Sequence, residues 1–128
     1  MNPPTTPIVG CLLGLACGDA LGAPYEGGIP ERLAWSLIGK TKEGLPRWTD
    51  DTQMSLDVAA SLLAHGDVDQ NDLAQAFQKS YRWSRGYGPG TAKVLRHIRA
   101  GQPWQQASRA SYKDGSIGNG GAMRIPVV

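Results

Sequence analysis

The chain contains the stretch WTDDTQMSLDVAASLLAH at residues 48–65, which joins two adjacent acids to an amphipathic pattern. Apolar residues recur at helical spacing after residue 52, so the pattern predicts a helix over 52–65. Gly66 follows directly and is typical of a residue that ends a helix. The two acids, Asp50 and Asp51, therefore fall at the start of this helix.

The same helical periodicity is found on both sides of this stretch. Further helices are predicted over residues 7–20, 31–38, 71–84, 91–100 and 103–110, with Ala122 beginning a last one. Asp69 or Asn71 is expected to cap the helix over 71–84. Because no segment shows sustained two-residue alternation, the sequence predicts an all-α domain.

The first helix is apolar nearly all round. Gly10, Gly14 and Gly18 recur every fourth residue and so share one face. Each glycine costs a helix up to about 1 kcal/mol relative to alanine. We therefore expect another backbone to approach along this face, which makes the helix central and buried. Cys11 and Cys17 are expected to be free buried thiols, which agrees with a cytoplasmic location.

Composition limits the class of protein. The 128 residues suit one modest domain, and 41% hydrophobic residues with 19% charged residues argue against disorder. The net charge is only +2, and no basic run with interleaved aromatics indicates a nucleic-acid partner. Residues 8–23 are apolar but appear as a segment of only sixteen residues that includes Asp19, so no membrane span is expected.

The acid pair allows two interpretations. Asp and Thr are preferred helix caps, and Asp50 followed by Gln53 imitates a capping box. Adjacent carboxylates beside hydroxyl groups also suit a hard divalent cation. Glu26 follows a tight turn and is in a position to face the same cation. Asp19 is expected to accept N–H bonds from the glycine-containing loop that follows it.

Two glycine-rich segments have a similar ambiguity. Residues 118–124, GNGGAMR, present main-chain N–H groups at an expected helix start, where a phosphate or ribose can approach. Residues 87–91, YGPGT, offer a second main-chain surface. Each segment is equally explained as an ordinary connection between helices.

Four blocks in this order, at residues 10–26, 48–54, 85–91 and 118–124, resemble the ADP-ribosylglycohydrolase family, which includes dinitrogenase reductase-activating glycohydrolase. The resemblance implies an all-α orthogonal helical bundle with a binuclear Mg²⁺ or Mn²⁺ centre. It implies metal ligands at Thr49, Asp50, Asp51 and Glu26, of which Glu26 and Asp50 are also the catalytic residues. It implies an ADP-ribose surface formed by Gly88, Gly90, Gly118, Asn119, Gly120, Gly121 and Met123.

The sequence departs from the family in one respect. The family's second metal cluster, Asp-x-Asp-Ser/Thr, is absent, and three carboxylates cannot balance two divalent cations. We therefore interpret residues 7–128 as the N-terminal portion of a single family domain. Residues 1–6 are polar and contain proline, and we interpret them as a flexible tail. Self-association or a complementing C-terminal half would then cover the apolar faces of residues 7–128.

The expected function is metal-dependent hydrolysis of the bond between ADP-ribose and a protein side chain or small acceptor. The expected partner is ADP-ribose or an ADP-ribosylated protein. The alternatives are an inactive ADP-ribose-binding module and a structural, crystallin-like member of the family.

Overall fold

The computed structural model describes residues 5–116 and 118–127. The regular elements of these residues are helices, with no β-strand among them. In these residues, 3-10 helices occupy Ala23–Tyr25, Trp83–Arg85 and the longer segment Asn119–Val127. The α-helices are α1 (Thr5–Gly22), α2 (Ile29–Ile38), α3 (Asp50–His65), α4 (Gln70–Ser80), α5 (Pro89–Arg99) and α6 (Trp104–Ser111). The predicted all-α class is confirmed.

Helix α3 lies at the centre of the arrangement and packs against α1, α4 and the 3-10 helix at Asn119–Val127. It begins at Asp50, slightly earlier than expected, because Thr49 serves as its N-cap. Gly66 ends it as predicted, in the left-handed region at φ 72°. Its amide donates to the Leu62 carbonyl over 2.8 Å, which closes the last turn.

Helices α4, α5 and α6 form the compact part of the molecule. Asp69 caps α4 by accepting from the amides of Asn71 and Asp72, which settles the cap left open by the sequence. The indole N–H of Trp104 donates to the Asn71 side chain over 2.9 Å and joins α6 to α4. The buried core shared by these helices and α3 consists of Met54, Ala74, Tyr87, Leu95, Ile98 and Ala107.

Helix α1 does not have the environment that its sequence predicts. Ile8, Leu13 and Leu21 are more than half exposed, and apart from the helix's own backbone no described atom lies within 4 Å of a Cβ built on Gly10, Gly14 or Gly18. The prediction of a buried central helix with a closely approaching backbone is therefore wrong for the described part of the chain. The physical reason is that α1 packs mainly against α3 and the last 3-10 helix among the described residues, while its apolar surface extends all round.

Two smaller expectations about α1 also need correction. Cys11 and Cys17 are free, as expected, but both are exposed rather than buried. The helix starts at Thr5, inside the segment expected to be a flexible tail, and residues 1–4 lie outside the described part. Residues Pro7–Tyr25 are long and apolar enough to cross a membrane by length and composition, so the argument from a short segment is wrong.

Candidate functional site

The predicted ligand residues line one cavity of about 330 Å³. The start of α3 contributes Thr49, Asp50 and Asp51, and Glu26 comes from the turn after the first 3-10 helix. The remaining lining residues come from the same turn, from α2 and from the loop before α5. They are Ala23, Gly27, Glu31, Ala34, Trp35, Ile38, Gly86 and Tyr87.

The start of α3 is capped by residues other than the acid pair. The Thr49 hydroxyl accepts from the Asp51 amide over 3.2 Å. Asp19 of α1 accepts from the amides of Thr49 and Thr52 over 2.8 and 3.2 Å, and from the Thr52 hydroxyl over 2.5 Å. These bonds satisfy the main-chain donors that a helix start leaves free.

This arrangement corrects the sequence-based expectation for Asp19. The carboxylate does accept main-chain N–H bonds, but the donors belong to α3, about thirty residues further along the chain, and not to the following glycine loop. No spacing pattern in the sequence links residue 19 to residue 49. The available signal was an acid within an otherwise apolar helix, which requires a partner when it is partly buried.

The acid pair experiences strong repulsion and partial burial. Burial is the main cause that raises the pKa of Asp50 to about 6, and the neighbouring Asp19 carboxylate raises it further. Burial followed by the charge of Asp50 raises the pKa of Asp51 to about 6, with smaller contributions from Asp19 and Glu26. The charges of Asp19 and Glu26 thus act on the acid pair, and in the described residues none of the four carboxylates forms a salt bridge within 4 Å.

Arg124 supplies the positive charge that partly offsets this repulsion. Its charge lowers the pKa of Asp50 and Asp51, although burial and Asp19 outweigh it. Its guanidinium lies over the Phe77 ring at 5.4 Å and donates to the Met54 sulfur over 2.9 Å. Arg124 therefore contacts Met54 and Phe77, and in the described residues it forms no salt bridge with either acid.

The donor chemistry fits part of a divalent cation site. Three carboxylates and one hydroxyl on a single cavity wall are the hard oxygen ligands that Mg²⁺ and Mn²⁺ prefer. Within residues 5–116 and 118–127, however, no three His, Cys, Asp or Glu side chains converge closely enough to hold an ion. The cavity therefore offers a partial ligand set and not a closed cage.

The loop before α5 meets the cavity through different residues from those expected. Gly86 and the Tyr87 ring lie on the cavity wall, whereas Gly88 and Gly90 do not. Gly86 has φ 82°, which favours glycine, and a Cβ there would contact Asp50 Oδ1 at 3.8 Å. A Cβ on Gly90 would overlap the Tyr112 hydroxyl, so this glycine is required for close packing between α5 and the end of α6.

The second glycine-rich segment packs elsewhere. Residues 119–127 form a 3-10 helix against α3 and α1, and none of Gly118, Asn119, Gly120, Gly121 or Met123 lies on the cavity wall. Their expected role in binding ADP-ribose stays a prediction. The incomplete α-helix expected from Ala122 is replaced by the tighter 3-10 form, with Pro126 inside it.

Comparison with known proteins identifies the family. The family model described as ADP-ribosylglycohydrolase matches residues 3–128. The ADP-ribosylhydrolase ARH3 of Gallus gallus is 36% identical over 97% of this chain and 39% of its own length. The corresponding protein of Danio rerio is 38% identical over 90% of this chain and 34% of its own length.

A bacterial relative gives the same result. The ADP-ribosyl-[dinitrogen reductase] glycohydrolase of Rhodospirillum rubrum is 32% identical over 91% of this chain and 41% of its own length. The chain thus spans about two fifths of the curated relatives that it matches. Since the family model covers residues 3–128 of the 128, the chain belongs to the ADP-ribosylglycohydrolase family.

Proposed function

We propose that this chain is the N-terminal part of an ADP-ribosyl glycohydrolase. The observation that carries the proposal is that capping the start of α3 does not use the carboxylates of the acid pair that lines the cavity. Thr49 and Asp19 accept the main-chain amides, and the carboxylates of Asp50 and Asp51 remain on the cavity wall. Family membership and the names of the relatives support the same activity.

We also propose that Thr49, Asp50, Asp51 and Glu26 hold Mg²⁺ or Mn²⁺. Support comes from the chemistry of the four side chains and from carboxylates that repel one another without a salt bridge in the described residues. When bound, a divalent cation orients ribose hydroxyls and lowers the pKa of a water molecule. The absence of a closed three-acid cluster predicts that this chain binds the cation weakly.

The proposed reaction breaks the bond between the ribose anomeric carbon and the acceptor atom. The oxygen of water forms the new bond to that carbon, and the acceptor leaves with the bonding electron pair and takes up a proton. Glu26, which is exposed at the rim, or Asp50 accepts the proton that water releases. The negative charge of Asp51 stabilises the oxocarbenium-like transition state that such cleavages pass through.

The size of the cavity suggests where the rest of the substrate lies. A volume of about 330 Å³ is near the lower end for ligand pockets, so it suits the ribose better than the whole of ADP-ribose. We propose that the diphosphate and adenosine extend along main-chain surfaces at Gly88, which has open space beside its Cα, and at the segment 118–123.

The partial ligand set favours a second candidate function. A chain that carries one acidic cluster can recognise ADP-ribose without hydrolysing it, and so act as a binding module. In either case the substrate class is ADP-ribose or an ADP-ribosylated protein. We place the protein in the cytoplasm, because its two free cysteines are exposed and would be kept reduced there.

Helix α1 suggests a further partner for the functional protein. Its exposed apolar residues, and the relatives' greater length, support coverage by a C-terminal half of the family domain or by a second copy of this chain. Sedimentation of the chain alone separates the two. A concentration-dependent dimer supports self-association, and a monomer at all concentrations supports the complementing half.

Calorimetry and an activity assay test the proposed function together. ADP-ribose is titrated into the chain with and without Mg²⁺, and release of free ADP-ribose from an ADP-ribosylated protein is followed separately. We expect Mg²⁺-dependent binding that both Asp50→Ala and Asp51→Ala reduce at least tenfold. Asp114→Ala is the matched control, since Asp114 is an exposed acid that lies off the cavity wall.

Each outcome distinguishes the candidates. Release of ADP-ribose that both substitutions abolish supports the glycohydrolase, and Mg²⁺-dependent binding without release supports the binding module. Absence of binding contradicts both and favours the structural role. Activity that survives both substitutions contradicts the assignment of the site.

A further inference from the structure

Asp19 connects two helices that are far apart in the sequence. It lies near the C-terminal end of α1, and its Oδ2 accepts three hydrogen bonds from the start of α3. The donors, Thr49 and Thr52, are 7% and 2% exposed, so water has little access to these groups. Loss of the Asp19 acceptor would leave buried donors without a partner, which is costly.

The effect of these bonds on the acid pair depends on which acceptor each main-chain amide at the start of α3 uses. At an ordinary helix start, an acid in the first turn satisfies free amides or interacts with the helix dipole. Here the Thr49 hydroxyl takes the Asp51 amide, and Asp19 takes the amides of Thr49 and Thr52. Among the described residues, the Asp50 carboxylate has its own amide as its main-chain donor, and no amide of another residue donates to the carboxylate of Asp50 or Asp51.

We propose that Asp19 is a positioning residue for the cavity: by capping α3 from α1, it directs the Asp50 and Asp51 carboxylates towards the bound cation. This inference rests on the proposed function in naming the cation. A charged acceptor strengthens the three hydrogen bonds, which favours Asp over a neutral side chain at this position. Asp19 itself is absent from the cavity wall, so it acts through the start of α3.

The chain provides a matched control for this inference. Asp69 also accepts two main-chain amides at a helix start, but it caps α4 and does not line the cavity. Replacement of either aspartate by alanine removes an acceptor of main-chain amides at a helix start, although Asp69 caps its own helix and Asp19 caps another. A merely structural role for Asp19 would make the loss of Mn²⁺ affinity follow the loss of stability in both variants.

The test compares Asp19→Ala, Asp19→Asn and Asp69→Ala in the chain as it exists. Mn²⁺ affinity is measured by electron paramagnetic resonance, and stability is measured by urea unfolding. We expect Asp19→Ala to weaken Mn²⁺ binding at least tenfold and Asp69→Ala to change it less than twofold, although both lose stability. Asp19→Asn keeps an acceptor and should recover most of the stability and part of the affinity.

A second measurement does not depend on the cation. In a crystal structure of Asp19→Ala, we expect the Asp50 or Asp51 carboxylate to turn back towards the amides of α3. Unchanged carboxylates in a folded Asp19→Ala variant would overturn the inference, as would equal loss of Mn²⁺ affinity in Asp69→Ala. If the unaltered chain binds no Mn²⁺ but the carboxylates turn as expected, the proposed metal site fails and the positioning role stands.

Discussion

The α4–α6 region and helix α1 differ in how far their apolar side chains are covered by other parts of the chain. In the first, Leu95 and Ile98 are 4% and 7% exposed, because α4, α5 and α6 turn amphipathic faces towards one another and towards α3. In α1, Leu13 is 60% exposed, although the helix is more apolar than the others. Hydrophobicity therefore indicates that a surface needs a partner, but it does not identify the partner.

The largest expected effect contrasts the two regions directly. Leu95→Ala removes a buried side chain from the core and should cost about 2–5 kcal/mol in the free energy of unfolding. Leu13→Ala on α1 should change it by less than about 0.5 kcal/mol, since this side chain is mostly exposed. Urea unfolding followed by circular dichroism measures both. Equal losses would show that α1 is covered as fully as the core.

The next effect concerns close packing inside the compact region. Gly90→Ala should cost about 1–3 kcal/mol, because the new methyl group would overlap the Tyr112 phenol. Gly88→Ala is the control, since a Cβ there meets no atom within 4 Å, and it should be nearly neutral for stability. Thermal unfolding distinguishes them. If the two variants unfold alike, the contact between Gly90 and Tyr112 is not part of the folded state in solution.

The junction between α1 and α3 should show an unusual dependence on pH. Because the pKa of Asp50 and of Asp51 is raised to about 6, the folded chain binds more protons than the unfolded chain between about pH 4 and pH 6. Stability should therefore fall as the pH rises through this interval, in the absence of a divalent cation. Unfolding measured from pH 4 to pH 8 tests this slope.

Substitution isolates the groups responsible for this slope. At pH 7, Asp50→Asn or Asp51→Asn should stabilise the metal-free chain by about 1 kcal/mol, after allowance for solvent screening. Asp114→Asn, on an exposed turn, should leave both the slope and the stability unchanged. A slope that persists in the double variant Asp50→Asn/Asp51→Asn would assign the titration to other groups.

The smallest effect tests the uncovered face of α1. Gly14→Ala should stabilise the dilute chain by up to about 1 kcal/mol, since alanine favours the helix and no described atom lies within 4 Å of the new Cβ. Urea unfolding at low protein concentration measures the gain. A loss of stability would reveal that a backbone does approach Gly14. If a second polypeptide packs there, the same substitution should weaken that association.

Local signals explain what the sequence predicted correctly. The Asp69 cap, the Gly66 end of α3 and the helical periodicity each depend on residues within one or two turns of each other. The grouping of Glu26 with the acid pair was also expected, first from its place after a tight turn and then from family resemblance. The cap, the helix end and the periodicity needed no knowledge of how distant segments pack.

The remaining features depend on contacts between distant segments. The bonds from Asp19 to Thr49 and Thr52 join residues more than twenty-nine positions apart, and no local pattern specifies them. The glycines of the loop before α5 looked equivalent, yet Gly86 faces the cavity while Gly90 accommodates Tyr112. The exposure of α1 was unpredictable for a related reason, because an apolar helix has the same pattern whether or not a partner covers it.

The hydrogen bonds that Asp19 accepts make the start of α3 depend on the attachment of α1. A helix with few buried contacts can detach locally at low cost, and detachment of α1 would withdraw the acceptor on which the start of α3 depends. Any polypeptide that secures α1 should therefore tighten cation binding at the cavity. Linkage requires the reciprocal, so the cation should strengthen that association by the same factor.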